Sequence, residues 1–176
     1  MLLLNEEVEA KGLFRAAEQL CLAARTAPKG KGMDLLVTAV VDGEDKDRLT
    51  EKMREIAERD GVAFFSRDAG NVEGVVVLVL LGTRKEPLGL PHCGFCGFTD
   101  CGAMQKAGAT CSFNTGDLGI ALGSAVSRAA DLRVDNRIMY SAGKAALELG
   151  LLGPDVAIAY GIPLSATGKS PFFDRG

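Results

Sequence analysis

Four of the five cysteines lie close together in the sequence, and they are the residues best suited to chemistry. They are Cys93, Cys96, Cys101 and Cys111. Their spacing is C-x2-C-x4-C-x9-C, and a cubane iron–sulfur cluster needs four thiolates that converge on one site. Gly94, Gly97 and Gly102 leave the backbone free to curve around such a site and to direct N–H groups at its sulfur atoms. The spacing therefore predicts a [4Fe-4S] cluster held by these four side chains.

Two other kinds of site are compatible with the same cysteines. Four thiolates can hold a structural zinc ion tetrahedrally, although zinc sites usually combine two C-x2-C pairs and this sequence has one. A C-x2-C pair can also carry out thiol redox chemistry without a metal. Both alternatives stay open at the level of the sequence. Phe95 and Phe98 are expected to exclude water from the site, whereas Cys21 is predicted to be a buried apolar residue in a helix.

Composition and charge exclude several classes of protein. The chain has 176 residues, of which 47% are hydrophobic and 24% charged, and this predicts one globular domain over residues 1–176. Because the formal net charge is −3, neither nucleic acid nor an anionic membrane surface is expected as a partner. The longest apolar run, 75–81, is too short to span a bilayer. Clustered cysteines without a secretory leader predict a cytoplasmic location, where thiols stay reduced.

The elements that must position the cysteines are predicted from hydrophobic periodicity and from glycine and proline breaks. In chain order they are a helix at 5–26, a buried strand at 35–41, a helix at 45–60, a short strand at 62–66, a central strand at 74–82, helices at 116–131 and 135–149, and a strand at 156–162 that Pro163 closes. Asp135 is expected to cap the last of those helices. Residues 84–114 show no sustained periodicity, so they are predicted to form an irregular Cys-rich insert with one short helix near 103–107. This order predicts an α+β, three-layer domain around a small sheet.

The cysteine motif resembles one that is known. Residues 93–101, CGFCGFTDC, are similar to the C-G-x-C-G-(Y/F)-x-x-C signature of the compact four-cysteine [4Fe-4S] domain of bacterial electron-transfer complexes and of the corrinoid iron–sulfur protein. The gap to Cys111 is shorter than the last gap of those domains. The whole chain, including 161–165 and 168–175, resembles a prokaryotic family described as containing a ferredoxin domain. That resemblance implies electron transfer.

A second resemblance is to flavin-dependent nitroreductases. Residues 23–28, AARTAP, look like their first-helix and Ala-Pro segment, and residues 135–163 look like their later helix–strand unit. The Arg-Ser-x-Arg start of those enzymes is missing, and Lys29 and Lys31 replace the usual Ser and Asn. The resemblance implies a nitroreductase-like fold, a homodimer and bound FMN. The residues that could then meet the flavin phosphate are Arg25, Lys29, Lys31 and Lys169, the alternative being solvated surface cations.

The predicted function is electron transfer through an iron–sulfur cluster to a redox partner protein or small-molecule acceptor that the sequence does not identify. One alternative is a zinc-stabilised structural or interaction module. Another is a flavin-dependent oxidoreductase in which the cluster relays electrons. A homodimer is expected because three predicted strands make a thin sheet, and because helix 116–131 is apolar enough to pack against more than one neighbour.

Overall fold

A four-stranded antiparallel sheet organises the protein. The computed structural model describes residues 2–173. The strands are β1 (Leu36–Val41), β2 (Val77–Arg84), β3 (Asp135–Asn136) and β4 (Val156–Ser165), in the order β1-β2-β4-β3. As predicted, β2 is central: it pairs with both β1 and β4, and all but its last residue are buried. The short β3 makes this sheet one strand wider than the three predicted strands, which weakens the argument that a partner must complete it.

Helices cover both faces of the sheet. Within the described residues they are α1 (Glu6–Thr26), α2 (Gly43–Asp60), α3 (Ala63–Glu73), α4 (Cys101–Lys106), α5 (Ser112–Asp131) and α6 (Tyr140–Glu148), with a 3₁₀ turn at Gly30–Gly32. Side chains of β2 alternate between the two faces. Leu78 and Leu80 pack with α2, α3 and α6, whereas Val79 and Leu81 pack with α1 and α5. The molecule is therefore a three-layer α+β fold, as expected. Among residues 2–173, no helix combines the length and apolar composition needed to cross a membrane.

The predicted short strand at 62–66 is wrong, because these residues begin α3. Phe65, Ala69 and Val72 recur at helical spacing and are all buried against the sheet. The strand at 35–41 exists as β1 but lies at the sheet edge, where Val40 is 39% exposed. The continuous apolar run at 35–41 therefore did not show whether this strand lies at the edge or in the middle of the sheet.

The predicted helix at 135–149 is wrong in its first third. Asp135 pairs with Ser165 in β3 instead of capping a helix, and α6 starts only at Tyr140. Met139 exchanges two backbone hydrogen bonds with Gly161, of 2.8 and 3.0 Å, and this holds the chain against β4. Long-range pairing therefore overrides the local helical pattern.

Strand β4 continues through Pro163 to Ser165, so the prediction that Pro163 ends it is wrong. Gly161 exchanges backbone hydrogen bonds with Met139 on the side of β4 where β3 lies. Backbone N–H groups point alternately to the two sides of a strand, so position 163 faces the same side as Gly161. On that side β3 ends at Asn136, and among residues 2–173 no strand pair is formed there at position 163. Proline is tolerated at this position for that reason.

Candidate metal centre

The four clustered cysteines stand on different pieces of backbone between β2 and α5. Cys93 and Cys96 lie in the loop before α4, Cys101 is the first residue of α4, and Cys111 is the N-cap residue of α5. All four line one cavity of about 150 Å³. Cys111 is buried and the other three are half-buried. The fold thus brings together the four side chains that the spacing selected.

A tight turn presents the first two thiols. The Gly97 N–H donates to the Gly94 carbonyl at 2.9 Å, and Cys93 and Cys96 lie one residue before each of these glycines. Gly94 and Gly97 have φ values of 65° and 83°, a region that residues with a Cβ rarely adopt. The glycines of the motif therefore allow the turn that brings these two sulfurs to one side.

Helix starts position the other two thiols. The Asp100 side chain accepts a hydrogen bond of 2.8 Å from the Ala103 N–H, and this caps α4 at the residue before Cys101. Cys111 precedes the first turn of α5, whose 20 residues direct their N-terminal partial positive charge toward it.

Apolar side chains form part of the cavity wall, which Leu90 and Met104 line. Leu88 and Met104 are almost fully buried and form a small cluster with Cys111. Phe98 also lines the cavity, which agrees with its predicted role of excluding water. Phe95 does not line it and is 75% exposed. The expectation of water exclusion is therefore wrong for Phe95.

Polar residues that the sequence analysis missed hold this region to the rest of the fold. Asn114 is 1% exposed, and its amide N–H groups donate to the carbonyls of Arg84 and Glu86 at 3.2 and 2.5 Å. One turn later, the Asp117 carboxylate accepts a hydrogen bond of 2.9 Å from the Gly30 N–H. Helical spacing in the sequence could have identified Asn114, because it lies three residues after Cys111 at the start of the same helix.

Within residues 2–173, no three His, Cys, Asp or Glu side chains lie close enough together to hold one metal ion. The four cysteines line the wall of one cavity of about 150 Å³. In an iron–sulfur cluster each thiolate binds an iron of its own, whereas the four ligands of a zinc ion all lie about 2.3 Å from the same atom. Four thiol side chains around one cavity are a donor set that fits an iron–sulfur cluster, and zinc uses the same donors.

The predicted phosphate contacts are engaged with their own chain. Arg25 donates to Asp34 at 2.8 Å and to the Leu36 carbonyl at 2.8 Å. Lys29 donates to the carbonyls of the last turn of α1 and of Ala27, and burial lowers the pKa of its ammonium group. Lys31 donates to the Leu88 carbonyl at 3.2 Å, and Lys169 lies in the tail after β4. Phosphate binding by these residues stays a prediction.

Comparison with known sequences relates this chain to a protein family and to a relative of similar length. Residues 107–175 match the model of a family described as "Uncharacterized protein containing a ferredoxin domain". The segment 168–175, noted above for its resemblance to this family, ends with Asp174 and Arg175. These two residues lie outside the part of the chain that the structure describes. A protein of Archaeoglobus fulgidus, itself described as uncharacterized, is 43% identical over 183 residues that cover 99% of this chain and 98% of the relative.

Solved structures share the architecture at low identity. An oxidoreductase containing FMN is 14% identical with a TM-score of 0.59, and the match covers 88% of this chain and 67% of that one. The FMN-dependent nitroreductase NfnB from Mycobacterium smegmatis, in complex with NADPH, is 14% identical with a TM-score of 0.58 over 88% and 78% of the two chains. An FMN-dependent nitroreductase from Clostridium difficile R20291 is 16% identical with a TM-score of 0.56, and the match covers 88% of this chain and 76% of that one. The fold is therefore the nitroreductase fold.

Proposed function

Because this chain belongs to the family of uncharacterized proteins containing a ferredoxin domain, we propose that it is a redox protein that carries one [4Fe-4S] cluster and passes electrons to a partner. The observation that carries the proposal is the single cavity lined by four thiols. When bound, the cluster would supply one-electron transfer. The family description and the geometry of the cysteines support the same kind of chemistry.

The side chains of this protein would divide the work of holding the cluster. Cys93, Cys96 and Cys101 provide half-buried thiols on the outer side of the cavity, and Cys111 provides the buried one. The start of α5 stabilises negative charge at Cys111. Phe98 and Met104 keep water from part of the cavity, which raises the strength of every electrostatic contact there. A reduced compartment such as the cytoplasm would keep the thiols available.

Anaerobic purification with assays for iron, acid-labile sulfide, zinc and flavin on one sample tests this function. We expect about four iron and about four sulfide per chain. Replacing any one of the four cavity cysteines with Ala should lower the iron content. Cys21→Ala is the matched control and should leave it unchanged, because Cys21 lies in α1 and outside the cavity. One zinc per chain without sulfide would instead establish the zinc-stabilised module.

A flavin-dependent oxidoreductase is the second candidate, and the nitroreductase fold favours it. In that case the FMN phosphate is proposed to bind at Arg25, Lys29, Lys31 and Lys169, with contacts that replace some of those described above. Titration of the apoprotein with FMN, followed by flavin fluorescence, tests this. Saturable quenching that Lys29→Ala combined with Lys31→Ala weakens at least a hundredfold would support it. No saturation at tens of micromolar would exclude it.

A homodimer is proposed for either function. Leu22 on α1 is 65% exposed and Ile120 on α5 is 50% exposed, and these two helices pack side by side. Exposed apolar side chains on neighbouring helices are typical of a surface that a second subunit covers. Sedimentation equilibrium at micromolar concentration should give twice the monomer mass, and a monomer throughout would contradict this assignment.

A further inference from the structure

One carboxylate lies among the residues that line the cysteine cavity. Besides the four cysteines, the ionisable side chains on this lining are Asp100 and His92, and the lining includes no Lys or Arg. Asp100 directly precedes Cys101 in the chain and is exposed to solvent. It therefore brings a negative charge to a cavity wall that has no Lys or Arg to offset it.

The structural role of Asp100 explains its position but not its charge. Its Oδ1 atom accepts a hydrogen bond of 2.8 Å from the Ala103 N–H and so caps α4, and the Thr99 hydroxyl donates to Oδ2 at 3.5 Å. Asn and Ser cap helices about as well as Asp does. Because α4 has only six residues, its dipole is small and gains little from a charged cap. The cap therefore calls for a short polar side chain, and the negative charge needs another explanation.

We propose that the carboxylate of Asp100 sets the reduction potential of the redox group that the cavity holds. Reduction adds one electron, and hence one negative charge, to a site whose thiolate ligands are already anionic. A neighbouring negative charge disfavours that addition. Asp100 thereby lowers the reduction potential and makes the reduced protein a stronger electron donor. This inference rests on the proposed cluster function and specifies the direction in which the chain tunes it.

Variants of Asp100 separate the charge from the cap. Asp100→Asn and Asp100→Ser keep a capping side chain without the charge, and Asp100→Glu keeps the charge. Midpoint potentials are measured by mediated redox titration of the anaerobically purified full chain. In both neutral variants the equilibrium constant for one-electron reduction should rise about threefold or more, which is about 30 mV because a tenfold change corresponds to about 59 mV. The potential of Asp100→Glu should stay close to that of the wild type.

Asp131→Asn is the matched control, because it removes the same charge at the far end of α5. Asp131 is the last residue of that helix, whose first residue, Ser112, lines the cavity. About 28 Å of helix separates the two, and at 0.1 M salt exposed charges are screened over about 10 Å. The control should therefore leave the potential unchanged. Since Asp100 is exposed, the difference between the wild type and Asp100→Asn should shrink when NaCl is raised from about 10 mM to about 0.5 M.

An unchanged potential in both neutral variants would overturn the proposal. An equal rise in Asp100→Glu, or a difference that high salt does not reduce, would also overturn it, because either result would assign the effect to the cap instead of the charge.

Iron and acid-labile sulfide are measured on every sample, so failure of the proposed function is recognised separately. A cluster whose potential does not depend on Asp100 refutes this inference and leaves the cluster function standing. If the wild type holds no cluster even after reconstitution with iron and sulfide, both fail.

Discussion

At the scale of single residues, the site depends on side chains that are not ligands. Asn114 links the carbonyls of Arg84 and Glu86, at the end of β2, to the helix that begins beside Cys111. It therefore joins the two ends of the segment that carries the cysteines. A buried amide with two carbonyl partners is difficult to replace, because each carbonyl left without a donor costs free energy.

Asn114→Leu should lower the free energy of unfolding by about 1–3 kcal/mol and also speed the loss of iron to a chelator. Asn71→Leu is the matched control, since Asn71 donates to the Pro171 carbonyl at 2.9 Å, far along the chain from the cysteines. It should cost comparable stability without faster iron loss. Urea unfolding and iron release measured on the same preparations check both expectations, and equal iron release by the two variants would contradict them.

Cys21 should behave differently from a free thiol. Burial raises the pKa of the Cys21 thiol, and this outweighs the hydrogen bond from Thr38 and the nearby Arg25, which act to lower it. At pH 8 a smaller fraction of Cys21 than of an exposed cysteine is therefore in the thiolate form, which is the form that reacts. Iodoacetamide labelling followed by mass spectrometry should show Cys21 reacting more slowly than a cysteine in a short unstructured peptide and catching up as the pH rises. Faster labelling than the free thiol would contradict this.

At the scale of elements, close contact between α6 and β4 sets the layer that covers one face of the sheet. Gly143 is where the two approach most closely, because a Cβ there would lie 1.9 Å from the Ala159 carbonyl oxygen. No side chain can be added without moving the helix away from the strand. Just before α6, Met139 exchanges two backbone hydrogen bonds with Gly161 of β4.

Gly143→Ala should lower the free energy of unfolding by at least about 3 kcal/mol, since the clash involves backbone atoms. Gly70→Ala provides the contrast. Gly70 lies inside α3, and a Cβ there meets no atom within 4 Å. That substitution should stabilise the protein by about 0.5–1 kcal/mol through helix propensity. Thermal unfolding followed by circular dichroism checks both, and a similar melting temperature for the two variants would refute the packing argument.

At the scale of the whole molecule, the cysteine region has its own small core. The two large apolar clusters lie on the two faces of the sheet and include no residue from 85–111. The third cluster consists of Leu88, Met104 and Cys111 with a few half-buried neighbours. A core of that size stabilises a segment weakly, so a bound metal group would add much of its order.

Removing the metal should therefore loosen residues 85–111 and leave the sheet folded. Limited proteolysis of the chelator-treated protein, with fragments identified by mass spectrometry, should place the first cuts in that segment. Far-ultraviolet circular dichroism should change little. Reloading with iron and sulfide should restore resistance. First cuts in α2 or α3, or global unfolding on metal removal, would show that the metal group supports the entire fold.

The sequence by itself determined the features that depend on neighbours along the chain. The spacing of Cys93, Cys96 and Cys101 with their glycines selected side chains that share one cavity, and the apolar runs located β2 and the long helices. Tertiary structure decided what depends on distant partners. Asp135 joined a strand because Ser165 lies opposite, and residues 63–66 became helix because Phe65 is buried against the sheet. Likewise, only the stack on Phe113 fixed the exposed Phe95. Local propensities differ by less than the free energy of burying one large side chain, so long-range packing prevails where the two conflict.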